Sequence, residues 1–174
     1  MQDLTTTDRM HVTAADCWIS VGNIERAKAE LAEVGPLFRD HPDVLQVHWH
    51  LHAQMRDWET SVKVAMTLTE TTPERTFGWV HLSLSLRRLG KFPAAIEVLR
   101  RGIEVCGKAP TLLLNMACCH ACLGKLSQAK EYPMQALEFA TDQDSKHRFL
   151  LRAFNESDLM PVWQSDPSSL VGIP

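Results

Sequence analysis

The sequence lacks segments that would direct a protein to a membrane or to secretion. It also lacks several common catalytic and nucleotide-binding motifs. Its first residues, MQDLTTTD, contain neither a basic nor an apolar segment, so we expect no signal peptide. No run approaches the roughly 18 consecutive apolar residues that a membrane span needs. The HExxH, GxSxG, Walker lysine and Rossmann glycine motifs are all absent. We therefore expect a cytoplasmic protein that is not an enzyme, carries no cofactor and has no membrane partner.

The sequence also has little net charge and few cysteines. Its formal net charge of −3 provides no field that would attract nucleic acid. Five cysteines are present, at positions 17, 106, 118, 119 and 122. An odd number, with three crowded into five residues, does not resemble a disulfide framework. The cysteines therefore favour a reduced protein and the cytoplasm.

What the sequence does contain is a period of 34 residues. Gly22, Arg56, Gly90 and Gly124 are each separated by this interval. Two residues after each of them stands a bulky apolar side chain, and five residues after stands a small one. The bulky residues are Ile24, Trp58, Phe92 and Leu126, and the small ones are Ala27, Ser61, Ala95 and Ala129. A fixed period of this length is typical of stacked structural repeats.

The third period shows the repeating unit most clearly. Residues 76–89 place Trp79, Leu82 and Leu86 on one stripe of a helix. Gly90 and the following lysine interrupt the pattern, and residues 92–105 resume it. Pro93 stands in the first turn of this second segment, where a missing N–H is tolerated. The unit is therefore predicted to be two short amphipathic helices joined by a tight turn.

This pattern resembles the tetratricopeptide repeat, a 34-residue helix-turn-helix with small residues at positions 8, 20 and 27. Position 1 falls at Asp8, Pro42, Thr76 and Pro110, so four repeats would span 8–41, 42–75, 76–109 and 110–143. The resemblance implies an all-α, right-handed α-solenoid. We expect residues 1–7 to form a lead-in, 144–164 a capping helix and turn, and 165–174 a tail.

Three departures from the repeat pattern carry structural expectations. Trp49 stands where the family has a small residue and Ala65 where it has a large one, so we expect an exchange of volume between the two helices. Pro133 falls inside the last repeat's second helix and is expected to kink it. The Gly35–Pro36 pair predicts that the first repeat's second helix ends early.

The family resemblance also implies a binding surface. The first helix of every repeat would line a concave groove that binds a segment of a partner protein, making the chain an interaction module or scaffold. The groove residues carried over are Val12, Asp16, Ile19, Gln46, Val47, His50, Gln54, Phe77, Val80, His81, Leu84, Arg87, Arg88, Leu114, Asn115, Cys118 and Cys122. If they face the groove, Arg87 and Arg88 favour a partner with apolar anchors and an acidic residue; the alternative is that these charges are simply solvated.

One kind of ligand is excluded by the residues present. Family members that bind chaperone tails hold a terminal carboxylate with a clamp of lysine, asparagine and arginine. The matching positions here hold Val12, Asp16, Val47, Phe77 and His81. The clamp is absent, so a terminal carboxylate is not the expected ligand.

Two alternatives to partner binding remain open from the sequence. In the first, Trp163 or the Leu170–Ile173 tail of one chain occupies the groove of another, and the oligomeric state is not determined. In the second, a metal or thiol site uses one of two clusters. These clusters are His48, His50 and His52, and Cys118, Cys119 and Cys122. Packing roles are favoured over the second alternative for both clusters. His48 and His52 fall at packing positions of the repeat, with no third ligand assured, and the cysteines lie at the helix end that does not lower a thiol pKa.

Overall fold

The structure is a computed structural model that describes residues 2–139 and 142–165. These residues form α-helices and two 3-10 turns, with no strand among them, so the expected all-α class is confirmed. The helices are α1 Thr6–Ser20, α2 Ile24–Ala32, α3 Pro42–Gln54, α4 Trp58–Thr71, α5 Thr76–Arg88, α6 Phe92–Cys106, α7 Pro110–Cys122, α8 Leu126–Leu137, α9 Gln143–Asn155 and α10 Met160–Ser165. The 3-10 turns are Pro36–Phe38 and Ser157–Leu159. No helix in these ranges combines the length and apolar character needed to cross a membrane.

The 34-residue period reappears in the turns between paired helices. Gly22, Gly90 and Gly124 have φ angles of 77°, 73° and 72°, in the left-handed region that glycine adopts freely. Arg56 occupies the same turn position with φ 58°, which is a strained conformation for a residue with a Cβ atom. The repeated turn therefore requires a left-handed residue, and glycine is the residue that meets this requirement without strain.

The chain divides into two compact units, residues 1–89 with α1–α5 and residues 90–174 with α6–α10. The core of the first unit is built from small and branched side chains of α1, α2 and α3, including Ala15, Ala27 and Val44. Helices α4 and α5 approach closely at Gly78, where an added Cβ would lie 2.9 Å from the backbone nitrogen of Thr69. Glycine is therefore the residue that permits this approach.

Helix α2 ends early, as the Gly35–Pro36 pair predicts. It has 9 residues, whereas α4 has 14 and α6 has 15. The backbone N–H of Gly35 donates to a carboxylate oxygen of Asp8 at 2.8 Å, and the Thr5 hydroxyl donates to the same carboxylate. The Gly35 hydrogen bond is the main cause that lowers the pKa of Asp8. An ionised Asp8 thus ties the segment after α2 to the start of α1.

Trp49 is buried, with 5% of its surface exposed, and it faces α5. Its indole N–H donates to the hydroxyl of Ser85 at 3.0 Å. Ala65 in α4 is fully buried as well. The contacts with α5 show where the volume of the indole ring is accommodated.

In the second unit, α8 continues across Pro133 without interruption. The segment after α8 covers one side of α7. Leu159 from the 3-10 turn and Val162 from α10 join Leu114 and Cys118 of α7 in a common buried cluster. The indole N–H of Trp163 donates to the carbonyl of Ala153 at 3.3 Å, which holds α10 against α9. The C-terminal helices are therefore part of the core of this unit.

Candidate functional site

Four rings from α3 and α5 meet in the first unit, at positions that the sequence assigned to the groove or beside it. Phe77 and His81 are one helical turn apart and stack with ring centroids 3.7 Å apart and planes inclined by 18°. His81 meets the Trp49 ring edge-on at a centroid distance of 4.0 Å. His50 lies 5.9 Å from Phe77 between centroids. Three of these rings are half-buried and so remain partly open to solvent, whereas Trp49 is buried beneath them.

The rings are held in place by hydrogen bonds. The Nδ1 of His81 donates to the carbonyl of Phe77 at 2.8 Å, in the same helix. The Ser85 hydroxyl accepts from Trp49 and donates to the carbonyl of His81 at 2.8 Å. These bonds restrict the side-chain torsions of His81 and Trp49, and the Phe77 ring stacks on the fixed His81 ring, so the surface is preorganised.

Helix α1 contributes a carboxylate to the same surface. Asp16 accepts from Nδ1 of His50 at 2.9 Å, and both side chains are between a third and a half exposed. These two residues are 34 positions apart and therefore occupy equivalent positions in successive repeats. We call Asp16, Trp49, His50, Phe77 and His81 together the cluster face.

A hollow of about 430 Å³ adjoins the cluster face. Ile19 and Trp49 are its buried residues, and Gln54 is exposed at its rim. Its other lining residues are Asp16, Ser20, His50 and Ala53. The helices α1 and α3 therefore bring four of the groove residues carried over from the resemblance, Asp16, Ile19, His50 and Gln54, to one place.

The remaining groove residues of the first unit differ in exposure. Those that are buried are Val12, Val47, Val80 and Arg87, those that are half-buried are Gln46 and Leu84, and Arg88 is exposed. Adjacent residues on a helix point in different directions, which explains why Arg87 is buried while Arg88 is open. The two arginines therefore do not form the paired cationic surface that the sequence suggested, and only Arg88 is available to a partner.

In the second unit the groove residues are largely covered by the chain itself. Leu114, Asn115 and Cys118 are buried and Cys122 is half-buried. Leu114 and Cys118 pack with Leu159 and Val162, as described above. The amide of Asn115 donates to the carbonyl of Thr111 in its own helix at 2.9 Å. The covering residues lie outside the repeats, within the segment 144–164 expected to form a capping helix and turn.

The three histidines of α3 do not share a partner. His50 binds Asp16, and Nδ1 of His52 lies 3.1 Å from a carboxylate oxygen of Asp57. Burial, followed by the nearby charge of His52, lowers the pKa of His48. No three histidine, cysteine, aspartate or glutamate side chains in the described parts of the chain converge on a common point where they could hold a metal ion. All five cysteines are thiols that form no disulfide bond, and the metal or thiol alternative gains no support from this geometry.

The self-assembly alternative is also affected by the position of Trp163. This ring packs against Phe154 with centroids 5.3 Å apart, within its own unit. Its ring and its indole N–H thus have contacts within its own chain, and the side chain is half-buried. The Leu170–Ile173 segment lies outside the described residues.

No protein-family model matches the sequence, and no curated protein is significantly similar to it. Solved structures of low sequence identity do match the fold. The thermophilic TPR protein TTC0263 from Thermus thermophilus is 16% identical, with a TM-score of 0.67 over 94% of this chain and 93% of that chain. YrrB, described as a TPR protein with an unusual peptide-binding site, is 15% identical, with a TM-score of 0.59 over 91% of this chain and 84% of that chain.

Yeast Tom70 is 13% identical, with a TM-score of 0.66 over 97% of this chain and 36% of its own length. At this level of identity the likeness concerns the fold alone. Helical hairpins that recur every 34 residues, each with a left-handed residue in its turn, agree with that likeness. The chain therefore has the all-α repeat-solenoid fold of the tetratricopeptide-repeat proteins.

Proposed function

We propose that the protein is a non-enzymatic interaction module that binds a segment of a partner protein on the cluster face. One observation carries the proposal: side chains from three helices, α1, α3 and α5, meet there as partly exposed rings, beside the hydrogen bond from His50 to Asp16 and a hollow. Aromatic side chains that are held rigidly lose little conformational entropy when a partner binds, and they offer a large contact area. Such a surface can bind a protein without any bond chemistry. Cysteines that form no disulfide bond suit a reducing compartment, and we propose the cytoplasm.

The chemistry of the surface suggests which partner segment it binds. Ile19 and the Trp49 ring offer an apolar contact for one anchoring side chain in the hollow. The stacked Phe77 and His81 rings offer a second apolar contact. Arg88 is exposed at the end of α5 and can pair with a carboxylate. We propose an extended or helical segment with apolar anchors and one acidic residue.

Site-specific cross-linking tests the location of the site. Gln54 is exposed at the rim of the hollow, and Lys63 is exposed on α4, outside the residues that line it. A photoreactive benzoyl-phenylalanine at position 54 should capture one partner protein in the native host, whereas the same group at position 63 should not. Identical products from both positions would show that the cluster face is not the binding site.

A substitution on the cluster face provides the second arm of this test. Phe77→Ala removes the ring that stacks on His81 and should reduce capture from position 54 by about tenfold, the loss typical of a central interface ring. The variant's melting temperature shows whether it remains folded. Undiminished capture by a folded Phe77→Ala protein would contradict the proposal.

The acidic residue of the partner is tested separately with Arg88→Glu. Reversing this exposed charge should weaken binding by about fivefold at low salt, and less at high salt, because the pair is solvent-exposed. Lys63→Glu makes the same change of charge on α4 and serves as the control. Equal effects of the two variants would contradict the proposed acidic residue in the partner. They would not contradict the cluster face as the binding site.

A further inference from the structure

The first unit contains a second hollow, at the point where α2 ends early. Its walls come from the last turn of α2, from Arg39 after the 3-10 turn Pro36–Phe38, and from α3. Its volume is about 450 Å³, within the range of sites that bind small molecules. It shares no lining residue with the hollow beside the cluster face. It therefore requires an explanation separate from the proposed partner site.

The floor of this hollow is apolar. Leu31 from α2 and Val44 and Leu51 from α3 are buried there, and Met55 is partly exposed at its edge. These three side chains expose little surface, so the apolar surface that a ligand can remove from water comes mainly from the exposed Ala32 and Met55 at the edge. An inorganic ion alone would leave this contribution unused.

The side chains around the floor are basic. They are Lys28, Arg39, His48 and His52, and we call this site the basic hollow. No aspartate or glutamate is among its lining residues. Lys28 pairs with the exposed Glu25 at 2.9 Å, and His52 pairs with Asp57 at 3.1 Å, both outside the lining. The electrostatic character of the hollow therefore favours an anion.

Two of the four basic side chains have no hydrogen-bond or ion-pair partner in the described parts of the chain. Across residues 2–139 and 142–165, neither Arg39 nor His48 has a side-chain hydrogen bond or an ion pair. His48 is more than half buried, and burial together with the charge of His52 lowers its pKa. An anion in the hollow would offset both effects, because a negative charge nearby favours the protonated imidazole. Arg39 and His48 thus line the hollow with no carboxylate bound to them among the described residues.

We propose that the basic hollow binds a small organic carboxylate, with its carboxylate among the basic side chains and its apolar chain against Ala32 and Met55, above the buried floor. The basic side chains distinguish this ligand from a neutral apolar molecule. The apolar floor distinguishes it from phosphate or another inorganic anion. The repeat pattern alone does not produce this site, since it depends on the early end of α2.

Titration of the full-length protein with octanoate tests the proposal, followed by NMR of the imidazole signals. The signals of His48 and His52 should shift saturably, while that of His147 in α9 should not move. Octanol has the chain without the charge and phosphate has the charge without the chain. Both should bind at least about tenfold more weakly than octanoate, since each lacks one of the two contributions.

Variants locate the site within the unit. Arg39 is exposed after the 3-10 turn, so Arg39→Gln should leave the fold intact and weaken octanoate binding by about fivefold. Lys63→Gln removes the same charge from the surface of α4 and should leave the affinity unchanged. The proposal is overturned if His48 and His52 show no saturable shift, if phosphate binds as tightly as octanoate, or if the two variants behave alike. These outcomes do not involve the cluster face and leave the proposed function untouched.

Discussion

Replacing Trp49 with phenylalanine would test whether the indole hydrogen bond helps to hold the cluster face together. The substitution keeps an aromatic ring at this position but removes the N–H that donates to Ser85. It also shortens the side chain that contacts His81 and Phe77. The Ser85 hydroxyl still donates to the carbonyl of His81, so only its role as acceptor is lost.

The expected magnitude follows from these contacts. A buried neutral hydrogen bond contributes about 1 kcal/mol to the free energy of unfolding. The smaller ring leaves space in a site that is only 5% exposed, and the resulting cavity costs about 1–2 kcal/mol. We therefore expect Trp49→Phe to lower the free energy of unfolding by about 2–3 kcal/mol in total.

A double-mutant cycle separates the two contributions. Urea denaturation of the wild type, Trp49→Phe, Ser85→Ala and the double variant gives the coupling between the two side chains. The bond from Ser85 to His81 is lost in both backgrounds in which Ser85 is replaced, so it cancels. A coupling of about 1 kcal/mol is expected. A coupling energy indistinguishable from zero would show that the hydrogen bond from Trp49 to Ser85 does not contribute to stability. It would contradict the claim that this bond helps to hold the cluster face together.

Three further predictions concern stability. Gly78→Ala should lower the free energy of unfolding by about 1–3 kcal/mol in urea denaturation, because the new Cβ would lie 2.9 Å from Thr69 nitrogen; a stabilised variant would show that α4 and α5 separate freely. Arg56→Gly should raise the free energy of unfolding by about 1 kcal/mol, because glycine adopts a φ of 58° without strain. An unchanged melting temperature would refute strain at this turn. Burial lowers the pKa of both His48 and His120. The unfolded chain then takes up protons near its ordinary pKa of about 6.5 while the folded chain does not, so stability should fall as pH decreases from there towards the folded pKa values. Replacing both histidines with glutamine should flatten this fall in melting temperature between about pH 7 and pH 5, and an equally steep fall would contradict it.

Local features of the chain were predictable from the sequence for a physical reason. Apolar spacing determines which face of a helix is buried, and the need for a left-handed residue determines where the chain turns. Gly22, Gly90 and Gly124 therefore marked the turns that the structure contains. The early end of α2 followed in the same way from Gly35 and Pro36.

Tertiary packing decided which positions remain open to a partner. Arg87 and Arg88 are neighbours in sequence, yet one is buried and the other exposed, because helix geometry turns them to different sides. Leu114 matches a groove position, yet the chain's own Leu159 and Val162 cover it. Equivalent positions in different repeats thus meet different neighbours, and burial depends on those neighbours.

The sequence by itself therefore determined the helices, their turns and the repeat fold, since these depend on residues close together in the chain. Only the tertiary structure decided that the rings of Trp49, His50, Phe77 and His81 form one surface. It also decided that four basic side chains surround a hollow where α2 ends. Both sites join residues from different helices, and their chemistry arises from contacts that a periodic pattern does not encode.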